Sequence, residues 1–311
     1  MHQIMNRFWH SAITLLALTN LLWAGNFIVG RAVAGEVPPL VLAWWRWTGA
    51  FLVAFGFAWS HLRRDWPVLV GHAPVLLLLA ATGIASFNTM TYIGLQYTTA
   101  VNALLLQSVM PVVILLWAFA LYRERPGPFQ TLGVLISLLG VAAIAGRGSP
   151  GELMRLSFNR GDAWVMGAVV IYALYAVLLR RRPRVHPVSL LVVLMGIGSL
   201  LMLPFYLFEA NAGAVIRGGW PSYAAIAYTA VLPSFVSYMF FNRGVELIGA
   251  GRAGQSIHLM PAFGTVLAVI FLGERIEAYH GVGIALIAGG ITVASLRSGR
   301  TARPSRGRPA A

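Results

Sequence analysis

Long apolar runs alternate with short polar or charged stretches along almost the whole chain. A helix needs about 20 apolar residues to cross the hydrocarbon core of a bilayer, and most intervals between charged residues reach that length. Residues 66–122 contain one charge-free run that is far longer than a single span, and we divide it at the polar turn of residues 94–99. The pattern predicts ten membrane-spanning helices, near residues 10–30, 38–59, 68–90, 97–121, 128–146, 162–179, 188–208, 220–241, 252–272 and 278–296.

The composition agrees with a chain surrounded by lipid. Hydrophobic residues make up 58% and charged residues 10%, and the mean hydropathy is +0.75, whereas soluble proteins carry about 25% charged residues. The net charge of +14 does not indicate nucleic-acid binding, because the basic residues fall between apolar runs and not on one helix or arm. The chain has no cysteine, which excludes disulfides and thiol chemistry.

The distribution of arginine predicts the orientation. All 23 basic residues are arginines; with a cytoplasmic N-terminus, sixteen lie on cytoplasmic loops and tails, six lie outside, and Arg46 lies within a span. Cytoplasmic loops carry the excess of Arg and Lys, so we expect both termini in the cytoplasm. The first apolar run is too long for the core of a signal peptide, so we interpret it as an uncleaved first helix.

An internal repeat divides the chain into two halves. The run from Met110 to Arg125 recurs 150 residues later, and an ungapped alignment of residues 94–140 with 244–290 gives ten identities. Each half has five spans, and because five is odd the second half enters the membrane from the opposite side. Inverted repeats around a midplane site are typical of secondary transporters. We therefore predict an all-α membrane protein with repeats at residues 1–146 and 162–297, followed by a disordered basic tail at 298–311.

Further matched features accompany the repeat. They are a Trp- and Asn-bearing first span, Pro111 and Pro261 in spans four and nine, the Glu124-Arg125 and Glu274-Arg275 exits, and Gly133-x6-Gly140 matched by Gly283-x6-Gly290. Together these features resemble the drug/metabolite transporter superfamily, and within it the EamA-type members, over about residues 10–297. The resemblance implies a ten-helix carrier in a bacterial cytoplasmic membrane that exports amino acids or related metabolites, with aromatic amino-acid exporters among its branches.

Polar and aromatic residues within the spans are the candidates for a substrate site. Such residues are costly in lipid and face a cavity or a partner, and four pairs at a spacing of three or four share one helix face. Tyr and Trp also form belts at membrane interfaces, which is the alternative for these rings and our assignment for Trp220. We predict substrate binding by Trp23, Asn26, Arg46, Asn88, Tyr92, Gln107, Ser108, Tyr172, Tyr175, Tyr238, Asn242 and His258.

Two of these residues carry further alternatives. Arg46 either binds a substrate carboxylate, or its N–H groups donate to helix-end carbonyls or to water of the outer vestibule. His258 either carries a proton or bonds a substrate, or it makes a hydrogen bond between packed helices. All nine acidic residues lie at the ends of predicted spans or in loops, so a carboxylate proton relay is not expected.

The sequence favours a carrier over other functions. Pro111 and Pro261 interrupt backbone hydrogen bonding in lipid, which fits gating helices better than static ones. Multidrug or quaternary-cation export is the first alternative and a nucleotide-sugar-type carrier the second. No catalytic motif is present, so an enzyme is not expected. We expect no cofactor or metal, a small-molecule substrate in a lipid bilayer, and a monomer.

The topology can be tested with introduced cysteines, because the chain has none of its own. We expect a cysteine at Ser149 to react from outside the cell and a cysteine at Arg303 to react only from the cytoplasmic side. The measurement is labelling of intact cells and of inverted vesicles with an impermeant maleimide. Labelling of both positions from the same side contradicts the predicted orientation.

Overall fold

The computed structural model describes residues 8–107, 109–145, 149, 151, 159–248, 253, 256–272 and 278–295. Within these ranges the regular structure is entirely helical. Seven helices have the length and hydropathy of a membrane span, and three shorter apolar helices bring the number to ten. The helices are α1 (Ala12–Ala32), α2 (Pro39–Gly71), α3 (Ala73–Leu95), α4 (Ala100–Gln107 and Met110–Tyr122), α5 (Pro128–Ala145), α6 (Arg160–Leu178), α7 (Pro187–Asn211), α8 (Trp220–Ile248), α9 (Met260–Leu272) and α10 (Ala278–Ser295).

The prediction of an all-α fold with ten spans is confirmed, but some helices extend beyond the predicted spans. The second span was expected at residues 38–59, whereas α2 has 33 residues and continues through Arg63, Arg64 and Asp65. These charges mark the end of the hydrocarbon layer and not the end of the helix, since a helix saturates its own backbone hydrogen bonds in water as well as in lipid. The hydropathy pattern therefore gives the membrane segment, and α2 projects past it.

The fourth span is interrupted at Val109, and α9 follows a 3-10 turn, where the sequence predicted continuous helices with a central proline. The first part of α4 ends at Gln107, and a new helix begins at Met110 with Pro111 in its first turn. A 3-10 turn, Ser256–Leu259, precedes the start of α9 at Met260. Proline has no N–H and is accommodated in a first turn, where no intrahelical donor is needed. Both prolines thus begin new helical segments and do not kink continuous ones.

The helix contacts show the two-fold relation between the halves. The first helix of each half packs on the third and fourth helices of the other half: α1 contacts α8 and α9, while α6 contacts α3 and α4. The second helices pack on each other, and so do the fifth helices. Both third helices contain a π-helical turn, Ala80–Ser86 in α3 and Val231–Val236 in α8. These reciprocal contacts confirm the inverted repeat.

The repeated glycines bring α5 and α10 into direct backbone contact. A Cβ added at Gly133 would meet the carbonyl oxygen of Gly290, and a Cβ added at Gly140 would meet that of Gly283. Between these two contacts, Ser137 Oγ donates to a carbonyl of α10 at 3.4 Å. Small residues permit such close helix approach in membranes, where burial of apolar surface gives no driving force. The Gly-x6-Gly spacing therefore serves packing between the halves.

Substitutions in α10 test this contact, because two adjacent glycines differ only in their surroundings. We expect Gly290→Ala to destabilise the protein by about 1–3 kcal/mol, since its Cβ would overlap the backbone of α5. Gly289 has no neighbouring atom within 4 Å of an added Cβ, so Gly289→Ala should be neutral or slightly stabilising through its helix propensity. Thermal unfolding of the purified protein measures both, and equal melting temperatures would contradict the packing.

Candidate functional site

A cavity lies between the two halves, at the level of the helix midpoints. About 470 Å³ of space between the atoms lies within its outline, and this figure includes space that is open to the outside. Both halves contribute to the wall, which is mostly aromatic and apolar and contains a small group of polar residues. The lining residues are Trp23, Asn26, Phe27, Arg46, Phe87, Asn88, Gln107, Met110, Tyr172, Tyr238, Ile257 and Met260.

Arg46 is the centre of the polar group. It lies about two turns into α2, and only 4% of its surface is exposed. Its Nη1 donates to Asn88 Oδ1 at 2.7 Å, to Tyr92 OH at 2.9 Å and to Asn26 Oδ1 at 3.0 Å, and its Nε donates to Ser234 Oγ at 2.6 Å. One buried cation thus connects α2 with α1, α3 and α8. Its acceptors are side chains and not the helix-end carbonyls that the sequence left as an alternative.

The π-helical turns orient two of these acceptors. Ser234 lies within the turn of α8, and because its hydroxyl donates to the carbonyl of Thr229 at 2.8 Å, its lone pairs face Arg46. Asn88 follows the turn of α3, and its Nδ2 donates to the carbonyl of Ile84 at 3.3 Å, which directs Oδ1 toward the guanidinium. Such turns often occur at functional sites, since they release backbone carbonyls from the regular helical pattern.

Arg46 has no acidic partner in the part of the chain that the structure describes. The ion pairs found there join Arg180 with Glu124 and Arg243 with Glu246, both outside the cavity. Arg46 Nη2 also has no hydrogen-bond acceptor among the described residues. The Trp47 ring, 4.9 Å from the guanidinium carbon, gives a cation-π contact. The positive charge is hydrogen-bonded but not neutralised, so the cavity has an electropositive side.

Gln107 adds a second free donor to the cavity. It is the last residue of the first part of α4 and is only 6% exposed. Its Nε2 is buried and has no hydrogen-bond partner within the described ranges. A buried amide N–H that lacks an acceptor costs about 1–3 kcal/mol, and a ligand acceptor would remove that cost.

Aromatic rings form a large part of the remaining lining. Trp23 meets Tyr238 edge to face with ring centroids 5.6 Å apart, and Phe87 meets Tyr172 at 4.4 Å. Trp23 Nε1 donates to the carbonyl of Pro233 at 3.0 Å, so the π-helical turn of α8 also fixes the orientation of this indole. The lining therefore offers a ligand aromatic rings in addition to polar donors.

The structure brings seven of the twelve predicted site residues to the cavity wall. Tyr92 lies behind the wall, where its hydroxyl bonds Arg46 and donates to Asn26 Oδ1 at 2.6 Å. Tyr175 also lies behind it and packs on Tyr172 with centroids 5.1 Å apart. The seven at the wall are Trp23, Asn26, Arg46, Asn88, Gln107, Tyr172 and Tyr238.

Three predicted site residues remain, and the structure describes the side chain of one of them, Asn242. Asn242 lies one turn beyond Tyr238 in α8 and does not line the cavity. Ser108 and the side chain of His258 lie outside the described residues, so their predicted roles stay predictions.

Sequence reasoning missed the apolar part of the lining. Phe27, Phe87 and Ile257 resemble any lipid-facing residue in a hydropathy pattern. Met110 and Met260 could have been found, because they are identical in the two repeats and precede the two prolines. Ser234 was missed because a serine in an apolar run does not reveal that its hydroxyl meets a cation on another helix.

An arginine at the C-terminal end of the first helix of each half bonds a neighbouring segment. At the end of α1, Arg31 Nη1 donates to the carbonyl of Leu95 at 2.8 Å. At the end of α6, Arg180 pairs with Glu124 of the loop after α4. The hydrogen bond from Arg180, together with its charge, lowers the pKa of Glu124. A lowered carboxyl pKa means that this pair is intact at neutral pH and is lost only as the pH falls through that lowered value.

Two inverted five-helix repeats around a cavity between the halves are typical of secondary transporters. The pattern of the EamA-like transporter family matches residues 10–146 and 159–296. The chain belongs to the EamA-like transporter family.

Similar proteins agree with this assignment. "Uncharacterized transporter YyaM" of Bacillus subtilis is 26% identical over 295 residues, which cover 92% of this chain and 94% of that protein. "Aromatic amino acid exporter YddG" of Ancylobacter novellus is 24% identical over 299 residues, which cover 93% and 99%. A solved crystal structure has the same fold, with a TM-score of 0.66 and 21% identity, over 92% of this chain and 96% of that one.

The two kinds of polar lining residue should respond differently to substitution. Asn88→Leu removes an acceptor from the buried guanidinium, so we expect it to cost about 1.5–3 kcal/mol of stability. Gln107→Met removes an amide whose donor is unpaired, so we expect a clearly smaller cost. Melting temperatures of the purified variants measure the difference. A larger loss for Gln107→Met than for Asn88→Leu would contradict the hydrogen-bond assignment.

Proposed function

We propose that this protein is a secondary transporter that exports amino acids, including aromatic or hydrophobic ones, or related small metabolites across the bacterial cytoplasmic membrane by alternating access. The observation that carries the proposal is the cavity between the repeats, whose lining combines aromatic rings with polar donors that have no acceptor among the described residues. A ligand with an apolar body and a polar end complements such a wall. The relative named as an aromatic amino acid exporter supports this substrate class.

Substrate binding divides between the aromatic and the polar lining residues. The rings of Trp23, Tyr172 and Tyr238 contact the apolar body, while Arg46 and Gln107 donate to the polar end. Asn26, Asn88 and Tyr92 act through Arg46, because their oxygens hold the guanidinium in place. No step requires bond making in the substrate, so the protein acts as a carrier and not as an enzyme.

Gating is assigned to the breaks in α4 and before α9. Because proline has no N–H, Pro111 cannot bond the carbonyl of Gln107, and Pro261 cannot bond that of Ile257. Both Gln107 and Ile257 line the cavity. The backbone is therefore weakest beside the site in each half, and bending there changes the access to the cavity while the remaining parts of the helices stay packed. The excess of arginine in the loops on one side of the predicted spans supports a cytoplasmic location of both termini.

The two alternatives fit the cavity less well. A quaternary cation would find aromatic rings, but it would also face the uncompensated charge of Arg46 and, among the described lining residues, no acid. A nucleotide sugar would need several basic residues for its phosphates, and Arg46 is the only basic residue in the described lining. An amphipathic metabolite with few polar atoms agrees with both observations.

Transport by purified protein tests the proposal directly. The protein is reconstituted in liposomes loaded separately with radiolabelled Trp, Phe, Thr, Met, Lys or Glu, and efflux is measured with and without a pH gradient. We expect efflux of the aromatic or hydrophobic amino acids above that of protein-free liposomes. Efflux of none of these solutes would contradict amino-acid export.

A pair of tryptophan variants tests the location of the site. Trp23→Ala removes a lining ring worth about 0.5–1.5 kcal/mol beyond its buried area, so the half-saturation constant for an aromatic substrate should rise about two- to tenfold. Trp220 is 79% exposed at the start of α8, and Trp220→Ala should leave that constant nearly unchanged. Concentration dependence of efflux measures both variants. Equal losses of affinity at equal expression would place the site elsewhere.

A further inference from the structure

From the charges around the cavity we infer the substrate class within the proposed function: the transporter prefers amphipathic carboxylates with a net negative charge over zwitterions and cations, and its transport cycle moves that charge across the membrane. The inference rests on the proposed function and concerns the same cavity.

The first observation is a set of donors without acceptors. Arg46 Nη2 and Gln107 Nε2 have no hydrogen-bond partner among the described residues, although both side chains are more than nine-tenths buried and line the cavity. Guanidinium and amide N–H groups are the donors that carboxylates accept from, and those from Arg are charge-assisted and therefore the stronger ones. The polar side of the cavity matches a carboxylate.

The second observation is that the described lining gives an ammonium group no anionic partner. It contains no Asp or Glu. The amide oxygens of Asn26 and Asn88 are both directed at Arg46, so an ammonium that approached them would meet the guanidinium at short range. The rings of Trp23 and Tyr238 remain as weaker partners. An amino acid therefore makes favourable contacts at its carboxylate but few at its ammonium group. A carboxylate ligand without an ammonium group does not bring an unpartnered cation into the cavity.

The third observation is that the second repeat has no counterpart of Arg46. The two-fold relation places residues 194–196 of α7 at the corresponding positions, and these are Leu, Met and Gly. Arg46 is therefore the cation that faces the cavity in both the inward-open and the outward-open state. Within the described spans no acidic residue lies beside the cavity to release a compensating proton, so in this proposal the charge of the substrate is the charge that moves. A proton carried together with the anion by His258 would instead make its efflux independent of the potential.

An electrical consequence follows. The membrane potential contributes energy in proportion to the charge moved, and for one negative charge the equilibrium ratio of substrate changes about fiftyfold per 100 mV. A potential that is negative inside the cell drives an anion outward and leaves a zwitterion unaffected. Export of net-negative carboxylates would then need no coupling ion.

The test compares three solutes with the same aromatic body: N-acetylphenylalanine, an anion; phenylalanine, a zwitterion; and trimethylphenethylammonium, a permanent cation. Proteoliposomes of the full chain are loaded with each radiolabelled solute, and a lumen-negative potential is imposed with potassium and valinomycin. We expect efflux of N-acetylphenylalanine to be at least tenfold faster than that of phenylalanine and to increase with the potential. We expect no efflux of the cation above protein-free liposomes.

Variants connect the preference to the two donors. Arg46→Gln should abolish the preference for the anion. Gln107→Met should retain the fold and should raise the half-saturation constant for N-acetylphenylalanine severalfold. Trp220→Ala is the control and should leave both quantities unchanged. Binding is measured separately as the rise in melting temperature that N-acetylphenylalanine causes in detergent, which should be reduced in Gln107→Met and unchanged in Trp220→Ala at the same concentration of ligand. This readout does not depend on transport.

The outcomes separate this inference from the proposed function. If phenylalanine is carried as fast as N-acetylphenylalanine, or if efflux of the anion does not respond to the potential, the inference is wrong while the carrier function stands. If none of the solutes, including the amino acids tested above, leaves the liposomes, the proposed function fails as well.

Discussion

The buried guanidinium of Arg46 is the interaction on which the site depends. A charge within a bilayer is tolerated when it is hydrated, paired or well hydrogen-bonded, and here the acceptors come from both halves: Asn26, Asn88 and Tyr92 from the first and Ser234 from the second. The polar side of the cavity exists because these groups converge on one cation. The π-helical turns in α3 and α8 contribute to this arrangement, since they direct Asn88 and Ser234 toward the guanidinium.

The fold could be predicted from the sequence because the bilayer limits it strongly. Hydrocarbon thickness sets the length of each apolar run, and the repeat of Met110-Pro111 at Met260-Pro261 shows two equivalent halves. Helix ends could not be predicted in the same way, since α2 continues past the lipid through charged residues. The breaks beside the two prolines also differ from the predicted continuous spans, because proline is compatible with a kink as well as with a new first turn.

The site was predictable only in its polar part. Asn, Gln and Arg stand out in an apolar run, so Arg46 and Gln107 were identified before their contacts were known. For the other residues, the direction of the side chain decides whether they line the cavity. Tyr175 turns toward the packed face of α6, whereas Phe87 and Met110 turn toward the cavity, and hydropathy does not distinguish these orientations.

The glycine contact between α5 and α10 has a consequence for the balance of the two access states. Gly133 meets Gly290 and Gly140 meets Gly283, so each contact is the image of the other and the pseudo-symmetry axis passes between them. When the two halves exchange their conformations, the contact between α5 and α10 is unchanged, as in an isologous interface. This contact therefore favours neither the inward-open nor the outward-open state. Arg46 has no image in α7, so an energetic bias between inward and outward access must come from unmatched residues such as this one.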